Sequence, residues 1–107
     1  MPRMPRNAGD RDLQRYRDAL APYATDHPKA KVECQRWHNS IVNVRIIDPD
    51  FQGLAWDDRD KNVWKLLEPL GDDLLNQLYL LILVTPKESK TRGSSLEFDN
   101  PPEYALK

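Results

Sequence analysis

The sequence predicts one α+β domain of two layers, in the order helix, strand, strand, helix, helix, strand. A three-stranded mixed sheet carries its helices on one face. Three observations predict this. Segments 31–36 and 41–47 alternate apolar and polar residues, 78–85 is a short apolar run, and 10–25 and 57–70 repeat apolar residues at helical spacing. Length sets the rest. A chain of 107 residues buries about two-thirds of its unfolded surface, enough for one core and too little for two helical layers.

Residues 1–9 hold Pro, Arg, Asn and Gly with nothing to bury, and are expected to form a disordered arm. In the first helix, Asp10 to about Thr25, one face carries Leu13, Tyr16, Leu20, Tyr23 and Ala24. Pro22 removes a backbone donor there and crowds the preceding turn, at about 3 kcal/mol. A kink or early end is expected, and His27-Pro28 closes the segment.

Two alternating runs follow as a hairpin, with Trp37-His38-Asn39-Ser40 as its turn. Val32 and Cys34 point inward from the first strand, and Val42, Val44 and Ile46 from the second. Asn43 and Arg45 point outward with Glu33 and Gln35. Asp48-Pro49-Asp50 and Gly53 end the second strand.

Asp57, Asp58 and Asp60 crowd the start of the next helix, where carboxylates meet the positive end of its dipole. Val63, Trp64, Leu67 and Leu70 form its buried stripe, Pro69-Leu70-Gly71 ends it, and Asp72 opens a short helix through Leu74 and Leu75. Leu78 to Thr85 is the last strand, stopped by Pro86. Its alternation puts Leu78, Leu80, Ile82 and Val84 on one face, with Tyr79, Leu81 and Leu83 on the face the helices leave open. The domain thus spans 10–88. Residues 89–107 read as a flexible tail, in which Pro101-Pro102 argues against a helix.

Composition narrows function. Sixteen Lys and Arg against seventeen Asp and Glu leave a net charge of −1, which does not suit a general polyanion binder. The lone Cys34 allows no internal disulfide and suits a reducing, cytoplasmic setting. The apolar run from Leu78 to Val84 is too short to span a bilayer, so no membrane association is expected. Cys34, His27 and His38 are too few for a structural zinc site without carboxylates, so no metal site is expected. Catalytic residues are not apparent either. Ser40 near His38 is ordinary turn chemistry, and the glycines at 9, 53, 71 and 93 are too scattered for a phosphate loop. The chain reads as no enzyme, with no cofactor and no small-molecule substrate.

The ordered set Val44-Arg45-Ile46, Pro49, Phe51-Gln52-Gly53-Leu54, Arg59, Val63, Trp64 and Leu67 resembles the signature of the BolA-like family. That signature is a strand, then F-x-G, an Arg six residues after the Gly, and an aliphatic-aromatic pair leading to a Leu. The resemblance covers about residues 12–88 and implies a type II KH-like fold. Phe51 then plugs the core, Gly53 supplies an unusual backbone conformation, and Arg59 holds a carboxylate or carbonyls. The family partners monothiol glutaredoxins through a bridging iron–sulfur cluster, and some members are described as regulators of transcription and stress response. Its cluster ligands are a His before the last strand and a His or Cys in the hairpin loop. Here the first position is Gln77, and His38 or Cys34 stands for the second. The family's Arg-His pair reads Arg59-Asp60.

The function expected from all this is a non-enzymatic adaptor or regulatory protein. It binds a protein partner, or a second copy, through the open sheet face with Trp37, Arg45, Tyr79, Leu81 and Leu83. Leaving three large side chains uncovered there forgoes about 1.5–3 kcal/mol each, and contiguous exposed apolar surface marks a partner. The alternative is nucleic-acid binding through Arg36, Arg45, Trp37 and the basic arm with Arg3 and Arg6. Against it, the stretch corresponding to the KH backbone clamp is Pro69-Leu70-Gly71-Asp72-Asp73, acidic where phosphate would sit. A retained iron–sulfur role through His38 is the third reading.

Overall fold

A computed structural model of the chain describes residues 10–37 and 40–100. Its elements are α1 (Arg11–Asp26), β1 (Lys31–Trp37), β2 (Ile41–Ile47), α2 (Trp56–Leu67), α3 (Asp72–Leu75), β3 (Leu78–Val84) and α4 (Gly93–Asp99). The sheet runs β1-β2-β3, antiparallel between β1 and β2 and parallel between β2 and β3. This is the expected α+β architecture with a mixed sheet. Residues 1–9, His38 and 101–107, with the arm and the hairpin ligand read from them, lie outside the described residues.

Asp10 caps α1 by accepting the Leu13 backbone N–H at 3.0 Å. The helix then runs through Pro22 to Asp26 without the early end expected of it. Leu20 and Tyr23, both buried, flank the proline. Burying each is worth about 1.5–3 kcal/mol, which offsets the lost turn. Ala24, expected on the buried face, is exposed. The main core joins Leu13, Tyr16, Leu20 and Tyr23 of α1 to Val42, Val44 and Ile46 of β2, with Phe51, Val63, Leu67 and Leu74. Trp64 is 37% exposed and departs from the expected stripe. Gly53 takes φ +83°, in the left-handed region that glycine alone enters without strain.

Two further expectations are overturned, and both concern the sheet's second face. Leu81 and Leu83 belong with the main core beneath the helices, whereas Leu80, Ile82 and Val84 face the other side. The cause is an irregularity in register. Val42 pairs with Leu78, but Asn43 pairs with Leu80, so Tyr79 is an extra residue. One inserted residue reverses the facing of everything after it. The Asn43 side chain stabilises the slip, its Oδ1 accepting the Leu80 N–H at 3.0 Å.

The second correction is the tail. Residues 93–99 form α4, which lies on the face opposite α1–α3 and buries Phe98 against Ile82 and Val84 and Ser95 against Arg45. A proline pair forbids helix only at its own position and just before it. It therefore ends α4 after Asp99 instead of preventing it. The face read as open is covered by the chain's own C-terminal segment.

Candidate functional site

The residues expected to form a docking face are brought together only in part. Arg45 sits directly opposite Glu33 in the hairpin register. Its Nε and Nη2 donate to the Glu33 carboxylate at 3.0 and 3.1 Å. Nη1 reaches the Ser95 carbonyl and hydroxyl at 3.1 and 3.0 Å, and Nη2 the Asp99 carboxylate at 2.7 Å. The guanidinium also lies 4.5 Å from the centre of the Phe98 ring. Arg45 is left 4% exposed, the anchor of α4 and no longer a surface cation. Trp37 is the last residue of β1, not part of the turn, and is 1% exposed, its Nε1 donating to Gln35 at 2.7 Å. Among the described residues of that face only Tyr79 is exposed, at 62%, its ring 6.2 Å from that of Trp37.

Arg36 is engaged as well. Nη2 donates to Asp10 at 3.1 Å and Nη1 to Gln77 Oε1 at 2.9 Å, while Gln77 Nε2 donates to Asp12 at 3.1 Å. Gln77, at the position of a cluster ligand in the resembled family, is an amide tied into a lock between α1 and β1. Cys34 packs against the main core, where burial pushes its thiol up to about 11, so the thiolate that would ligate iron is scarce. These residues do not fit a bridging iron–sulfur cluster.

Three ion-pair locks fasten the domain's ends, and each depends on pH. Arg36 holds Asp10 below the ordinary carboxylate range, Arg59 does the same to Glu88, and Arg45 to Asp99. A depressed folded value gives stability that is complete above the ordinary one and lost as pH falls through the folded one. The urea midpoint is therefore expected to hold from pH 7 to 5 and fall below the ordinary aspartate value of 3.8. A midpoint unchanged at pH 3 contradicts these locks.

The F-x-G and Arg motif borders a concavity. Arg59, from α2, is buried. Its Nε donates to the Leu54 carbonyl at 3.1 Å, and Nη1 to the Leu83 carbonyl at 3.1 Å and the Glu88 carboxylate at 2.7 Å. Its guanidinium lies 5.5 Å from the Phe51 ring centre and 4.1 Å from that of Trp56. Arg92, just before α4, lies over Trp56 too, at 4.4 Å. The result is a groove of about 270 Å³ along the outer edge of β3, lined by Leu81–Val84, Trp56, Asp60, Arg92 and Ser94. Trp56 stands 42% exposed at its rim. Among the described residues no strand pairs with β3 on that side and Arg92 makes no ion pair.

Sequence reasoning missed Trp56 and Arg92. A tryptophan opening an acidic helix was a visible signal, but Arg92 reaches it only because α4 turns the chain back.

Two helices cross between the parallel strands β2 and β3, after an antiparallel hairpin led by α1, and this order defines the class of fold. The structure is similar to BolA1 from Arabidopsis thaliana, with a TM-score of 0.52 and 22% sequence identity over 75% of this chain and 98% of that one. The chain thus has a BolA-like fold. No family model and no curated protein matches the sequence.

Proposed function

We propose that this chain is a non-enzymatic, BolA-like adaptor of the cytoplasm that binds a protein partner in the groove along β3. The observation that carries this reading is Trp56, half-exposed and stacked by two guanidinium groups at the mouth of a groove along the edge strand. Tryptophan and arginine are among the residues enriched where binding energy concentrates in protein interfaces. The strand itself, Leu78–Val84, carries no charge and no proline. Those are the devices by which sheet edges are normally kept from pairing. No helix among the described residues is long and apolar enough to cross a membrane.

The nucleic-acid reading has less support, because Arg36 and Arg45 both spend their charge on internal carboxylates. The test compares two exposed tryptophans of α2. Trp56→Ala should weaken partner retention by about thirtyfold, the equivalent of roughly 2 kcal/mol at a hot spot. Trp64→Ala, 37% exposed on the same helix, should leave it unchanged. Equal retention by both variants, or a wild-type protein that sediments alone and retains nothing, refutes the reading.

A further inference from the structure

The end of α1 meets the exit of β2 at a corner that no part of the proposed function uses. His27 closes α1 and stacks on Tyr23, ring centroids 4.2 Å apart and planes 16° from parallel, which fixes the imidazole plane. Its Nδ1 lies 2.8 Å from Asp50 Oδ2 and 3.3 Å from Asp48 Oδ2. Asp48 is fully buried. Its Oδ2 accepts the Tyr23 hydroxyl at 2.5 Å, and its Oδ1 accepts the Asp50 N–H at 2.9 Å. The Asp50 side chain is 60% exposed and His27 about a third, so the corner opens to solvent.

Two independent features bear on what the corner holds. The first is spacing. Nitrogen and oxygen ligands lie about 2.0–2.2 Å from a divalent cation such as Zn²⁺, so neighbouring ligands are about 3.0 Å apart at right angles and about 3.4 Å apart in a tetrahedron. The Nδ1 distances to the two carboxylates match this, and all three donor atoms lie within 4.8 Å of one another. The second is charge. A carboxylate taken wholly out of water is normally met by a cation. Among the described residues no lysine or arginine pairs with Asp48 or Asp50, and His27 is their only ionisable basic neighbour. Two carboxylates and an imidazole converge with no permanent positive charge between them.

We propose that this corner binds a divalent cation of the zinc class through His27 Nδ1, Asp48 Oδ2 and Asp50 Oδ2, with water completing the shell. One imidazole and two carboxylates form a donor set of borderline hardness, which suits Zn²⁺ or Co²⁺. The Tyr23 hydroxyl bonded to Asp48 is the outer-shell contact that orients a ligating carboxylate. Binding replaces the His27–Asp50 hydrogen bond with a bond from each residue to the metal, and leaves the bound imidazole neutral with its one proton on Nε2. The sequence hid this set because its members come from two elements, separated by 21 positions between His27 and Asp48.

The experiment uses the full chain at neutral pH with Zn²⁺ by calorimetry and Co²⁺ by absorption. One ion per chain is expected. His27→Gln and Asp50→Asn should each weaken binding by about tenfold or more, and Cys34→Ser should not change it. Both altered side chains are partly exposed, and circular dichroism establishes that the variants fold. Co²⁺ should show weak visible bands and no near-ultraviolet thiolate band. Affinity no tighter than millimolar, binding retained in either the His27 or the Asp50 variant, or a thiolate band from Cys34 overturns the proposal.

Discussion

Replacing Arg45 with alanine is expected to lower the unfolding free energy by about 3 kcal/mol and to free α4 from the sheet. Arg45 is the main polar node on which that helix hangs, giving five side-chain hydrogen bonds to Glu33, Ser95 and Asp99 and a stack on Phe98, beside a single one from Gln35 Nε2 to the Phe98 carbonyl at 2.9 Å. A seven-residue helix with no side-chain N-cap does not persist by itself. Loss of the guanidinium leaves Phe98 as its only large buried anchor and the Glu33 carboxylate without its partner. Asp99→Ala is the informative companion. Its carboxylate is half-exposed, so its removal should cost about 1 kcal/mol or less. Urea denaturation gives the energies, and hydrogen exchange gives the location. The Gly93–Asp99 amides should lose protection in Arg45→Ala while β1–β3 keep theirs. Protected α4 amides in that variant would show that the helix is held by something other than this node.

Why this cluster escaped the sequence is a matter of range. The hairpin was legible because polar residues alternate with Val32, Cys34, Val42 and Val44, and a polar residue on every second position marks which face is wet. β3 offers no such mark. All seven residues from Leu78 to Val84 are apolar or aromatic, so nothing in them shows that Tyr79 is an extra residue opposite Asn43. The reversal of Leu81 and Leu83 followed from that. The segment 93–99 has little helical signal of its own, and what holds it is distant in the chain: Arg45, fifty positions from Ser95, Gln35, and the Ile82 and Val84 side chains beneath Phe98. Arg45 looked like a solvated surface residue for the same reason. Phe51, Gly53 and Arg59, by contrast, interact within a short stretch of chain, where spacing is informative.

Arg59 is the other position at which a single change should be costly. In Arg59→Ala the Leu83 carbonyl, on a residue only 3% exposed, loses a charged donor, and an unsatisfied buried acceptor costs about 1–3 kcal/mol. Glu88 loses its ion pair but is partly exposed and rehydrates, so that contribution is small. The stack on Trp56, 4.1 Å away, adds about 0.5–1 kcal/mol. A loss of about 3 kcal/mol in guanidinium denaturation is expected. Arg59→Lys tests the cause. A lysine keeps the charge but cannot reach Leu54, Leu83 and Glu88 from one planar fork, so it should recover less than half of the loss. The two variants should also differ from Arg45→Ala in where they act. With Arg59 gone, Trp56 loses one of its two stacking partners and the groove wall loosens, while Arg45 still holds α4. If lysine restored full stability, charge alone would be what position 59 requires, and the fork geometry that shapes the β3 groove would have no energetic role.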